Sequence, residues 1–176
     1  MMSLTSEVIV KTMSRTPAWG RHLRNSLARF ATGVAIVTVD GVDGPLGSVV
    51  GSFASVSDEP PLVMVSVGKG ARVHDMLVDR SFAVNILGAD DRRLAACFSP
   101  SSTASPDWVN GDHAPRIQGV LAHVECTPWA AHDSGDRTLF VGLVEDFDYR
   151  SGDALGLVDN RYVVLPEQLF GSDGGN

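Results

Sequence analysis

The chain is short of lysine, of cysteine and of long apolar runs, and each shortage removes a class of function. Only Lys11 and Lys69 are lysine among 14 basic residues, and 21 acidic residues leave a formal net charge of −7. No long block of one sign occurs, which argues against broad electrostatic capture of nucleic acid or anionic lipid. Cys97 and Cys126 stand far apart and outside any C-x-x-C, so zinc-knuckle and dithiol chemistry are not indicated; both read as small buried thiols. No run approaches the roughly 18 apolar residues of a membrane span. The start, MMSLTSEVIVKTMSRTP, lacks a basic stretch followed by the apolar run of a secretory signal, so a cytoplasmic protein is expected.

Several chemical motifs are missing as well. The nearest approach to G-x-G-x-x-G is GKGARV, with Val73 at the third glycine position. There is no phosphate-binding G-x-x-x-x-G-K-[ST] loop and no G-x-S-x-G nucleophile elbow, and Ser66-Val67-Gly68-Lys69 matches S-x-x-K without its partner motifs. The five histidines show no clustered ligand spacing, so no metal site is expected. No paired carboxylates suggest acid/base work, and no catalytic side chain is assigned. What remains is chemistry carried by a cofactor.

The residues that are present suit one globular domain: 44% of the 176 are hydrophobic, enough for a sizeable core. An N-terminal arm over 1–16, a domain over 17–166 and a tail over 167–176 are expected, because the start is weakly periodic and GSDGGN consists of turn formers. Thr16 and Pro17 form a helix start, and Leu23, Leu27 and Phe30 then recur at helical spacing up to Gly33. From Val34 onward β-branched runs dominate: VAIVTV, GSVVGSFA, LVMVSV, FAVNIL, LAHVECTPWA, TLFVGLVEDFDY and RYVVL. ARVHDMLVDR and ADDRRLAACF read as helices between them. Strands outnumber helices without regular βαβ alternation, so a mainly β fold is expected, an antiparallel barrel with a few helices. Ser99 to Pro115 reads as a long polar loop around Trp108, a candidate lid or partner surface.

The stretch SVVGSFASVSDEPPLVMVSV, Ser48 to Val67, joins two apolar runs through serines and Pro60-Pro61. Ser52, Ser55 and Ser57 fall at a strand end and in the corner before the prolines, where hydroxyls and free amides can hold a phosphate or a polar ring edge. A serine-rich turn without a ligand is the plain alternative. Asn85, inside the apolar run AVNIL, must find partners for its amide, in the fold or on a ligand.

The order of these signals is informative. RNSLARFATGVAIVTV, a glycine, SFASVSDEPPLVMVSV, FAVNIL and GDRTLFVGLVEDF together resemble the short-chain flavin reductase family from about Leu23 to Leu165. That resemblance implies a Greek-key, FMN-binding split-barrel fold, a homodimer, and hydride transfer from NADH or NADPH to FMN or FAD. A monooxygenase would then receive reduced flavin by diffusion. The resemblance places flavin contacts along Val49, Val50, Gly51, Ser52, Phe53, Ala54 and Ser55, a phosphate contact at Arg72, and Asn85, Arg137 and Tyr162 among the cofactor-binding residues. Arg72 has a physical case too, since a guanidinium forks onto phosphate oxygens and a following helix N-terminus adds positive potential.

Three positions depart from the family pattern. Where relatives read G-M-T-x-S-S-F, this chain has Val49 and Gly51 in place of two hydroxyls, which suits a reductase that releases its flavin. Where relatives read G-D-H-T, this chain has Arg137, whose guanidinium stays protonated and can bind a carboxamide or phosphate, including the 2′-phosphate of NADPH. Two other functions are compatible with the resemblance: a non-catalytic split-barrel protein holding a flavin, and an oxidoreductase using bound flavin or a deazaflavin on an organic substrate.

Overall fold

Thr16 opens the described part of the chain, which in this computed structural model comprises residues 16–99, 102 and 104–167. The expected arm and tail fall outside it, apart from Thr16 and Glu167. The Thr16 side chain accepts from the Trp19 amide at 3.3 Å and caps α1 (Pro17–Leu27), the helix that Pro17 starts.

Beyond α1 come β1 (Thr32–Gly33), β2 (Ala35–Gly41), β3 (Gly44–Val50), β4 (Phe53–Asp58), β5 (Pro61–Gly68) and β6 (Phe82–Ile86). After α2 (Arg92–Cys97) follow β7 (Trp108–Asn110), β8 (Pro115–Ile117), β9 (Ala122–Ser134), β10 (Arg137–Tyr149), β11 (Ala154–Val158) and β12 (Arg161–Leu165). The larger sheet is antiparallel throughout, in the order β3-β2-β6-β9-β10-β5-β4. A smaller sheet has the order β1-β11-β12, and β7 pairs with β8.

Strand β2 shows why the core is double. Ala35, Val37 and Val39 join Val65, Phe82 and Phe140 in one cluster, whereas Ile36 points the other way into a second cluster with Leu87, Ile117 and Leu155. A strand buried on both faces reads as a continuous apolar run rather than an alternating one, as VAIVTV does. Gly142 fits the tight first cluster, since a Cβ there would lie 2.6 Å from the Phe82 ring and 2.7 Å from Cys126 Cβ.

The two edge strands of the large sheet, β3 and β4, are consecutive in the chain and separated only by Gly51 and Ser52. Three residue steps span at most about 10 Å, so the end of one edge strand lies within that distance of the start of the other, and the sheet must curve to allow it. The strand break therefore lies at Gly51-Ser52, and Ser55 and Ser57 belong to β4 rather than to the corner before the prolines. The turn at Glu59-Pro60 joins β4 to β5. Another sequence expectation changes: ARVHDMLVDR forms only a five-residue 3₁₀ helix, His74–Val78. Val73 and Leu77 face the core as the spacing requires, but the chain must return to β6 within four residues of Val78, leaving room for little more than one turn. ADDRRLAACF is divided between a 3₁₀ turn, Ala89–Asp91, and α2.

Candidate functional site

At the corner, β3 and β4 each have a hydrogen-bonded neighbour on one side only, so at every second residue the backbone N–H and C=O point off the sheet edge. Val49 is 38% exposed and Val50 is buried against the first core, paired with Ile36 and Ala35 respectively. Gly51, Ser52, Ala54 and Ser55 are exposed, and the half-buried Phe53 packs onto the first core. A hollow of about 120 Å³ opens here between Thr32, Gly33, Ala35, Gly51, Phe53 and Ile86. A Cβ at residue 51 would lie 3.8 Å from Thr32 Oγ1, so the Thr32 hydroxyl faces the space that Gly51 leaves open. Sequence reading assigned no role to Thr32, although it lies within the quoted FATGVAIVTV.

Behind the corner, Ser66 connects two of the expected site residues. Its amide donates to Ser52 O at 3.1 Å, its hydroxyl accepts from Arg137 Nε at 2.7 Å, and its carbonyl accepts from Arg137 Nη2. Arg137 opens β10 after the two-residue turn Gly135-Asp136, in which Gly135 has φ +74°. Nearby, Lys69 Nζ lies 2.6 Å from Asp133 and holds that carboxyl below its ordinary value. His74 Nε2 is 2.8 Å from the Thr138 hydroxyl, and its Nδ1 is 2.7 Å from Asp75.

A larger cavity of about 550 Å³ lies along the first half of β3 and is lined by Ser48, Arg72, Cys97, Phe98, Ser105 and Trp108 among others. Gly47 makes its wall possible, because a Cβ there would sit 2.4 Å from the Phe98 ring. Phe98 meets Trp108 edge to face at 6.1 Å, and Trp108 Nε1 donates to Ser105 Oγ at 3.1 Å. Arg72 is exposed, and among the described residues its guanidinium makes no hydrogen bond or ion pair. The helix after Arg72 is too short to add the positive potential expected of it, which leaves the guanidinium as the positive group at this point.

Among the described residues, Asn85 and Tyr162 line neither hollow. Asn85 is fully buried, donates to Ile36 O and Thr38 Oγ1, and accepts from the Ile117 amide at 2.8 Å. Tyr162 packs on the second cluster; Arg92 lies over its ring at 5.5 Å and donates to its carbonyl. A further polar group went unnoticed in the sequence: buried Glu125 accepts from the His113 and Ala114 amides and pairs with Arg116 Nε at 3.1 Å, without hydrogen-bond alignment. Ligand atoms of His123, Glu125 and Asp146 lie within 4.8 Å of one another, and the Arg116 guanidinium contacts both His123 and Glu125. Burial, reinforced by Glu145 and Glu125, pushes the Cys126 thiol up to about 12.

An antiparallel β domain with an open peptide corner and an arginine-bearing cavity has the form of a binding protein for a polar, phosphate-bearing cofactor. The family described as flavin reductase like domain matches residues 27–166. The FMN reductase (NADH) SmoA of Agrobacterium fabrum is 43% identical over 139 residues, covering 77% of this chain and 80% of the relative. The flavin-dependent monooxygenase reductase subunit HsaB of Mycobacterium tuberculosis is 35% identical over 130 residues, 71% of this chain and 70% of HsaB. The solved structure of the Streptomyces globisporus NADH:FAD oxidoreductase SgcE6 in complex with NAD and FAD fragments superposes with a TM-score of 0.77 at 35% identity, covering 84% of this chain and 93% of that one. The chain belongs to the flavin reductase family.

Proposed function

We propose that the protein uses NADH to reduce FMN or FAD and releases the reduced flavin to a separate monooxygenase. The carrying observation is the Gly51–Ser55 corner: exposed apart from the half-buried Phe53, flanked by strand edges with a neighbour on one side only, and braced from behind by Ser66 and Arg137. These residues fit a flavin, since unpaired amides and hydroxyls can meet its polar ring edge, while the uncommitted Arg72 suits its phosphate. NADH and flavin supply the hydride chemistry between themselves. Val49 to Ser55 orient the ring, Arg72 holds phosphate, and Arg137 keeps the corner in place and meets the nicotinamide nucleotide. Asn85 and Tyr162 act through the fold. Stacked orientation and exclusion of water are the protein's contribution, and no side chain need carry a proton.

The assembly in this proposal is a cytoplasmic homodimer of a closed split barrel spanning 17–166. Closure is supported by the meeting of β3 and β4 through two residues. Dimerisation is supported by α1, which buries none of its residues, and by Leu27 and Phe30, 63% and 77% exposed at its end. Among the described residues no helix is long and apolar enough to cross a membrane. The test follows NADH and NADPH oxidation by the purified protein with and without FMN, FAD or riboflavin, after its visible spectrum is recorded. Oxidation that depends on added flavin is expected; no oxidation with any flavin overturns the proposal.

A further inference from the structure

The wall of the larger cavity is held with more buried polar structure than packing requires. Trp108 lies on β7, paired with Ile117 of β8, and this small hairpin is fastened to the large sheet at four backbone groups. Glu125 accepts from the His113 and Ala114 amides at 2.7 and 3.2 Å, Asn85 accepts from the Ile117 amide, and the Thr38 hydroxyl donates to Pro115 O. Gly111 lets the turn close over the carboxylate, since a Cβ there would meet Glu125 Oε1 at 2.4 Å. Burying a charge is costly, and its best-attested benefit is a single fixed arrangement. The strand so held, β8, is the one with which Trp108 pairs, through Ile117.

Trp108 and Phe98 give this cavity aromatic surface, Arg72 gives it an uncommitted cation, and Ser48 and Ser105 give it hydroxyls. We infer that it takes an adenosine phosphate, with Trp108 as the stacking surface for adenine and Arg72 as the phosphate contact, and that Glu125 and Asn85 are positioning residues for Trp108. The inference rests on the reductase proposal for its ligands: FAD and NADH each carry this group, whereas FMN and reduced nicotinamide mononucleotide do not. From Leu46 beside the cavity to Gly51 at the corner, β3 spans about 17 Å, which suits a dinucleotide with one end in each hollow.

The test has a binding arm and a kinetic arm. ADP is titrated into the parent and Trp108→Ala by calorimetry, and into a Trp19→Phe/Trp129→Phe background by Trp108 fluorescence. Quenching and an affinity about five- to a hundredfold weaker in Trp108→Ala are expected, with Trp108→Phe restoring most of the affinity. Kinetically, Trp108→Ala should raise KM more for the adenine-bearing member of one pair: FAD over FMN if the flavin supplies the adenosine, NADH over reduced nicotinamide mononucleotide if the nicotinamide donor does. Glu125→Gln in the fluorescence background should shift Trp108 emission and reproduce the same KM split. Unchanged ADP affinity in Trp108→Ala, or equal KM increases within both pairs, overturns the adenine assignment. Unchanged emission and KM split in Glu125→Gln overturns the positioning role. If the parent binds ADP through Trp108 yet reduces no flavin, the reductase proposal falls and the cavity assignment stands.

Discussion

Arg137 commits two of its five donor hydrogens to Ser66, whose amide bonds to Ser52 in the corner. Its charge is thereby held beside the corner, and among the described residues no acid forms an ion pair with it. Arg137→His is expected to lower the NADPH-to-NADH ratio of kcat/KM about two- to fivefold, in keeping with the 0.2–1 kcal/mol worth of a solvent-screened charge. An unchanged ratio in steady-state assays with both donors would remove Arg137 from the nicotinamide site. Cys126 makes a different prediction. Its thiol is ordinary at about 9 in the unfolded chain and pushed up to about 12 in the fold, so between these values the unfolded state has lost a proton that the folded state keeps. Stability therefore falls as pH rises through this window, by up to about 1.4 kcal/mol per pH unit from this group. Urea titrations at increasing alkaline pH should show a steeper loss for the parent than for Cys126→Ala; parallel curves would contradict the assignment.

At the scale of elements, the β7–β8 hairpin depends on its buried clamp. Glu125→Ala leaves Arg116 without its carboxylate and two turn amides without their acceptor, and is expected to cost about 3–5 kcal/mol in chemical denaturation. A loss below 1 kcal/mol would mean that water replaces the carboxylate. Gly47→Ala should act on the cavity, because the new methyl meets Phe98 at 2.4 Å and must displace the ring. Overpacking of this kind costs about 1–3 kcal/mol, and ADP affinity should fall with it. An unaltered affinity would show that Phe98 can move without opening the cavity wall.

For the whole molecule, the long strands were legible because their β-branched runs favour extended backbone, whereas the short β1, β7, β8 and β11 were not read and β7 lies inside the expected loop at Trp108. The Asp159-Asn160 turn was open to the same kind of reading, since both residues tolerate the positive φ that joins β11 to β12. The corner was only partly legible: serines mark a polar site, but nothing in SFASVS says whether the strand breaks before or after Ser55. Asn85 announced itself as an amide that must be satisfied, and the fold supplies its partners. Glu125 did not, because one acid among apolar residues does not name the loop that will close over it. The larger cavity was invisible in sequence for a related reason, being assembled from β3, the loop at Arg72, the end of α2 and the approach to β7. Arg72 was singled out for phosphate and Trp108 as the centre of a candidate lid or partner surface, but nothing in the sequence joined them in one cavity.

The most direct test of the account is anaerobic mixing of the purified protein and free flavin with NADH carrying deuterium at the transferring C4 position. Bleaching of the flavin absorbance should require the protein and slow relative to unlabelled NADH, with the label leaving the nicotinamide. Bleaching at the same rate without protein, or no bleaching at all, would contradict hydride transfer to flavin as this protein's function.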